Sequence, residues 1–205
     1  TYQPFLYPYA GVNPANGEMQ YLDINGNITT TPTASDRRAV GKNFIPKYQG
    51  GFGFDFDYKG LFVGTLFSYV FDVVRYDFDY ANALDSSTNQ IGQFNVSNEL
   101  LNAWTPANTN TDIPALDASN ALQENSDRFL RDASYIRLRN VQLGYRLPNK
   151  FLKDTFFKDL SFNVTAENLF TITKWKGFDA ESNRREDVYH YPTARIITFG
   201  LDVKF

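Results

Sequence analysis

Five stretches of the chain alternate apolar and polar residues with a period of two, which predicts strands whose two faces meet different surroundings. In 48–58, Phe52, Phe54, Phe56 and Tyr58 share one face, and Gly51, Gly53, Asp55 and Asp57 share the other. Over 61–76, Leu61, Val63, Phe67, Tyr69, Phe71 and Val73 align against a mixed face containing Gly64, Ser68 and Asp72. Over 134–147, Val141, Leu143, Tyr145 and Leu147 oppose Asn140, Gln142, Gly144 and Arg146, but upstream of Asn140 the apolar parity flips to Ile136 and Leu138. That flip predicts a β-bulge, or the strand's exit from its apolar surroundings. In 160–172, Leu160, Phe162, Val164, Ala166 and Phe170 oppose Ser161, Asn163, Thr165 and Glu167. In 195–205, Ile197, Phe199, Leu201, Val203 and Phe205 oppose Thr198, Gly200, Asp202 and Lys204.

The links between these strands alternate in length. Lys59-Gly60 suits a two-residue hairpin turn, because glycine tolerates positive φ. Residues 77–132 form a long connection rich in Asn, Asp, Ser and Thr, 148–159 a short one, and 173–194 a long one again. The residues before 48 also read as loop, with "NPANG" and "DINGN" as turn signals. All the short links therefore fall at one end of the strands and all the long ones at the other.

This asymmetry separates two classes. A soluble β-sandwich, secreted or surface-attached, would also alternate, but it commonly has short turns at both ends. A transmembrane β-barrel pairs short periplasmic turns with long extracellular loops, and is apolar outside and polar inside. The second pattern is the one in this chain. A mean hydropathy of −0.41 is compatible with it, since half of each strand and all the loops are wet. A sheet in hydrocarbon must close, because unpaired edge groups cost several kcal/mol each. The smallest such barrels have about eight strands, so these five are expected to be the C-terminal portion of a larger barrel.

Composition narrows the reading further. Phe, Tyr and Trp make 17% of 205 residues beside 13 Gly and one Met, which favours β structure. Twenty basic against 23 acidic residues give a net charge of −3 and no basic footprint for nucleic acid. Absent cysteine rules out disulfides, Cys-ligated zinc and thiol catalysis. No run approaches the roughly 18 apolar residues of a transmembrane helix, and the opening "TYQPFLYPYAG" has no charged-then-apolar leader. Either a leader has been removed or the chain is an internal piece of something larger.

Six segments, in order, resemble the C-terminal end of SusC/RagA-type TonB-dependent outer-membrane transporters: "GEMQYLDINGN", "VGKNFIPKYQGGFGFDFDYKGLFVGTLFSY", "WTPANTNTDIPAL", "SDRFLRDASYIRLRNVQLGYRLP", "LSFNVTAENLFTITKWKGFDAES" and "YPTARIITFGLDVKF". The resemblance implies an all-β fold: the last strands of a 22-stranded antiparallel transmembrane barrel, plugged by an N-terminal domain and not closed by this chain alone. It implies import of oligosaccharides or peptides with a SusD-like lipoprotein lid, driven by TonB through a part absent here, in the outer membrane of a Gram-negative cell. It also implies that the terminal strand, with Phe199, Leu201, Val203 and Phe205, is presented to the insertion machinery, with Phe205 at the periplasmic rim. Where the family often carries D-x-N-G-D-G, this chain has Asp23, Ile24, Asn25, Gly26, Asn27 and Ile28.

Candidate chemistry is sparse. "DINGN" places its glycine fourth rather than sixth and lacks the closing Glu of an EF-hand, so an Asn-Gly turn is expected and no metal. His190 is the only histidine and cannot supply a zinc set. Nothing specifies a nucleophile with its base, so no catalytic residue, no cofactor and no enzyme activity is expected. "ESNRRED" reads as a solvated charge run. The sequons "NVS" and "NVT" are discounted in a bacterial outer membrane. Trp104, Trp175, Phe178, Tyr189 and Tyr191 lie in the long loops, where aromatics stack on sugars, meet a partner, pack the loop or form a girdle. Asp55, Asp57, Asn163, Glu167 and Asp202 are expected to line a plugged lumen.

Overall fold

The structure, a computed structural model, describes residues 3–86, 92–181 and 192–205. In chain order its strands are β1 (Phe5–Leu6), β2 (Tyr9–Val12), β3 (Met19–Leu22), β4 (Ile28–Thr29), β5 (Arg38–Ala39), β6 (Tyr48–Tyr58), β7 (Leu61–Phe71), β8 (Val74–Tyr76), β9 (Leu130–Asp132), β10 (Tyr135–Arg146), β11 (Asp159–Glu167), β12 (Thr171–Thr173) and β13 (Ile196–Lys204). Among the described residues one α-helix, α1, spans Phe78–Ala83. No helix among the described residues is long and apolar enough to cross a membrane. The chain divides into two compact units.

One unit, built from Pro46–Asp72, Ala133–Ala180 and 192–205, is a single antiparallel sheet in the order β13-β11-β10-β7-β6, with β12 also paired to β10. Residues opposite one another in an antiparallel pair project to the same face. The pairs Phe56↔Val63, Val63↔Leu143, Leu143↔Val164 and Val164↔Phe199 therefore carry one apolar row across all five long strands. The row Tyr58, Leu61, Tyr145, Phe162 and Leu201 runs beside it. Most of these side chains are open, from 36% exposure at Val164 to 79% at Phe199, while Val63 is half-buried. Among the described residues of this unit no second sheet covers them, so the arrangement is not that of a sandwich.

The opposite face is polar and partly self-paired. Arg146 meets Asp57 at 2.8 Å, and the Asn163 amide donates to Asp202 at 2.9 Å. Phe62 sits on this face too, with its ring laid over its cross-strand neighbour Gly144, where a Cβ would fall 2.1 Å from the ring tip. Arg146 caps the same ring, 4.8 Å from its centroid.

Three backbone features fix the register. Lys59 (φ 50°) and Gly60 (φ 90°) both take positive φ, as a type I′ turn requires, and the Arg146 N–H donates to Gly60 O at 2.8 Å. Between Leu138 and Asn140 the register against β7 slips by one residue at Arg139, so the parity flip read from sequence is a bulge. Its Nε donates to Ser68 Oγ at 2.8 Å. Asn168, at φ 51°, separates β11 from β12, and both strands pair with β10.

The stretch 61–76 is not one strand. Left-handed Asp72 (φ 56°) ends β7, and the chain passes into β8, which pairs with β9 in the other unit. Asp tolerates that conformation better than a β-branched residue would.

The second unit, 3–45 and 73–132 with 181, corrects the expectation that 77–132 and the residues before 48 are plain loop. It carries small sheets β2-β3-β4, β1-β5 and β8-β9, helix α1, and two apolar clusters. One cluster joins Tyr76, Ala81, Leu84, Leu100 and Phe129; the other joins Tyr7, Met19 and Tyr21. Many of the polar residues that suggested loop make caps and turns. Asp77 caps α1 by accepting from Tyr80 N, and Ser97 accepts from Glu99 N. Asp23 takes the N–H groups of Asn25 and Asn27, which makes "DINGN" an Asx-type turn. Hydrogen bonding, first from the Asn27 side chain, holds Asp23 below the usual carboxylate range.

Arg128 lies between aromatic rings, 4.7 Å from the Phe129 centroid and 5.3 Å from that of Tyr9. Its guanidinium donates to Gln123 Oε1 at 3.1 Å and Asp112 O at 3.2 Å. Burial pushes the Tyr21 phenol up to about 12, and burial together with the bond to Glu99 does the same for Tyr80. The folded state thus favours the protonated phenols, a contribution complete below pH ~10 and lost as pH rises toward 12. Tyrosinate absorbance followed beside a tertiary-structure signal in the full-length protein is expected to show both changing together in that window, and Tyr80→Phe to raise the onset.

Candidate functional site

At the long-loop end of the sheet, a cavity of about 560 Å³ opens beside β10 and β12. Its floor follows from strand parity. Arg137 pairs with Thr171 and with Ser68, on the face opposite Ile136 and Leu138, so its side chain joins the polar side. There Arg137 is buried and binds Asp179 at 2.5 Å, with side-chain exposures of 5% and 3%.

Two threonines complete the arrangement. Arg137 Nε donates to Thr171 Oγ1 at 2.9 Å, and Nη1 donates to Thr193 Oγ1 at 3.4 Å. The Thr193 hydroxyl donates to Asp179 Oδ2 at 3.2 Å. A buried ion pair needs such extra bonds, because desolvation otherwise offsets its Coulomb gain. The network ties both described ends of the 173–194 connection, around 179 and 193, to β10 and β12. It offers hydroxyls and aromatic surface, and no nucleophile with a base.

The predicted contact residues separate here. Trp175 is buried, lines the cavity, and is anchored by its main-chain N–H, which donates to Thr173 Oγ1 at 3.0 Å. Phe178 lines the same cavity with 74% of its surface exposed. Trp104 lies in the other unit and packs, its indole N–H donating to Pro14 O at 3.1 Å and its ring filling the space beside Gly17. Tyr189, Tyr191 and His190 lie outside the described residues. Phe199, Leu201 and Val203 are on the apolar face of β13. Phe205 stacks on Phe156, with centroids 6.3 Å apart and planes 8° apart, beside Phe157 at 5.6 Å.

Sequence reasoning missed Arg137, Asp179, Thr171 and Thr193. The available signal was Arg137 itself, a charge at the polar parity of a strand, which needs a counter-charge wherever it is buried.

A continuous apolar face, a polar reverse face and two unpaired outer strands define the class: antiparallel transmembrane barrel wall that the chain does not close alone. No family model matches the chain. Among curated proteins it is 33% identical over 200 residues to TonB-dependent receptor P3 of Formosa agariphila, covering 90% of this chain and 18% of that protein. It is 32% identical over 206 residues to TonB-dependent receptor SusC of Bacteroides thetaiotaomicron, covering 98% and 19%. The structure of the RagAB peptide importer in its open-open state superposes with a TM-score of 0.85 at 27% identity, over 98% of this chain and 22% of that one. Over most of its length the chain is similar to the SusC/RagA-type TonB-dependent receptors, and it spans about a fifth of the length of these relatives.

Removing one partner of the buried pair strands the other. Asp179→Ala in the full-length barrel is expected to cost about 3–5 kcal/mol, and Arg137→Met with Asp179→Leu distinctly less. Denaturant midpoints of the detergent-folded variants measure both.

Proposed function

We propose that the protein carrying this segment is an outer-membrane TonB-dependent importer of oligosaccharides or peptides, the transporter subunit of a SusCD-like complex. In this reading residues 1–205 are the C-terminal part of the barrel. The five long strands are wall against the lipid bilayer, pairing at β6 and β13 with the remainder of the same barrel. The long connections form the extracellular side, where a SusD-like lipoprotein and the substrate make contact, and TonB engages a part outside this chain. Trp104, Trp175, Phe178, Tyr189 and Tyr191 are assigned to that ligand or partner side. The enzyme reading has little support, since the named relatives are receptors and importers.

The observation that carries the proposal is the single apolar row from Phe56 to Phe199 across five strands, flanked by two open edges. An exposed apolar patch of that extent marks an interaction surface, and with open edges it suits a lipid-facing wall.

Deleting the gene in the parent bacterium is expected to abolish growth on a limiting supply of one oligosaccharide or peptide source, with loss of tonB reproducing the defect. Unchanged growth across such sources would overturn the import reading.

The end of β13 is assigned a role in assembly. Phe205→Asp is expected to lower outer-membrane levels of the full barrel severalfold. Phe156→Ala, which removes only the stacking partner of Phe205, is expected to lower them much less. Immunoblots of outer-membrane fractions compare the two.

A further inference from the structure

The cavity beside Arg137 has a wall that is main chain. In the β10–β12 ladder the Leu138 N–H donates to Phe170 O at 3.1 Å, while Arg137 sits opposite Thr171 and Tyr135 opposite Thr173. Antiparallel ladders alternate hydrogen-bonded with non-hydrogen-bonded pairs. Phe170 and Ile172 therefore turn their peptide groups toward β10, and Thr171 and Thr173 turn theirs away from it. The sheet's next strand does not take them up, since β13 pairs with β11 only as far as Glu167↔Ile196. Beyond that pair the chain at 192–195 leaves the ladder, and its segment lines the same cavity. Among the described residues, the N–H and C=O groups of Thr171 and Thr173 have no hydrogen-bonded partner.

Such an edge is a template for another extended chain. Its three residues span about 10 Å at roughly 3.3 Å each, and the cavity volume of about 560 Å³ lies within the range of ligand sites. The charges at its floor are already matched, Arg137 to Asp179, while the exposed Arg195, which also lines the cavity, offers a cation to a peptide's carboxylate end. Trp175 and the open ring of Phe178 supply apolar surface beside the edge for side chains at alternate positions.

We infer that the free edge of β12 is a peptide subsite, where a substrate peptide lies extended in the cavity and adds a short strand through its main chain to Thr171 and Thr173. This rests on the import reading and narrows its cargo from two classes to one. Main-chain pairing is indifferent to sequence, so the site accepts many peptides and is selective only for an unblocked backbone.

Proline separates this from a side-chain role. Thr171→Pro removes the N–H that faces the cavity and leaves the bonds to β10 intact, whereas Thr171→Val keeps the N–H and removes the hydroxyl. The purified full-length transporter is titrated with a fluorescent octapeptide of alternating Thr and Ala, with the same peptide N-methylated at four consecutive central residues, and with maltohexaose. Heat-modifiable gel migration confirms that each variant is folded. The inference predicts that the plain peptide binds, that N-methylation weakens it at least tenfold, that Thr171→Pro does the same, and that Thr171→Val, which loses only the hydroxyl bonded to Arg137, weakens it distinctly less than Thr171→Pro. Should Thr171→Pro fail to fold, the methylated peptide on the native protein decides alone. Equal binding of plain and methylated peptides, binding of maltohexaose instead, or no peptide binding by the native protein would each overturn the inference. A strain that loses import on gene deletion while any of these holds sinks the subsite alone; one that keeps import sinks the wider reading.

Discussion

Every peptide N–H and C=O that enters hydrocarbon must find a partner inside the protein, and this one constraint organises the sheet. Along β6, β7, β10, β11 and β13 the ladders run unbroken apart from the bulge at Arg139, so the interior of the sheet meets it. At the outer edges of β6 and β13 the constraint is unmet by this chain. Those edges define what else the molecule needs: further strands of the same kind. The apolar row follows from the same setting, because a face turned to lipid gains nothing from polar groups and loses by burying them.

The reverse face obeys different rules. Here polar side chains are permitted but pair with one another, as Arg146 does with Asp57 and Asn163 with Asp202. Aromatics that intrude are laid flat over glycine, as Phe62 is over Gly144. Toward the long-loop end the polar face deepens into the Arg137–Asp179 network, where the ladder between β11 and β13 stops. The bulge at Arg139 and the left-handed Asn168 belong to this region as well. Departures from ideal β geometry thus gather where the sheet stops being plain wall, as bulges do at barrel rims.

How much of this was legible depended on how local the signal was. Period-two alternation is a property of neighbours two apart, so Phe52, Phe54 and Phe56, or Phe199, Leu201 and Val203, announced their strands and faces directly. The shift at Ile136 and Leu138 announced the bulge for the same reason. By contrast, 77–132 owes its order to contacts between distant residues: Arg128 reaching Asp112, the Tyr76 hydroxyl reaching Gln123 O. Composition alone made that stretch look like loop, since caps and turns use the same Asn, Asp and Ser. The break at Asp72 was hidden because Val73, Val74 and Tyr76 continue an apolar pattern into the other unit. At the cavity, Trp175 and Phe178 stood out as aromatics, but Asp179 became the partner of Arg137 only through a pairing 42 residues apart.

The central claim is that one face of this sheet meets lipid and the other does not. The segment contains no cysteine, so single cysteines placed in the full-length protein at Phe54, Leu143 and Phe199, and at Asp55, Asn163 and Gly200, isolate the two faces. Spin labels at these sites, in the protein reconstituted in bilayers, report collision with oxygen in the lipid and with a water-soluble nickel chelate. The first three positions are expected to favour oxygen strongly and the second three to favour the chelate or neither. Chelate accessibility at Phe54, Leu143 and Phe199 equal to that at their neighbours would contradict the barrel wall.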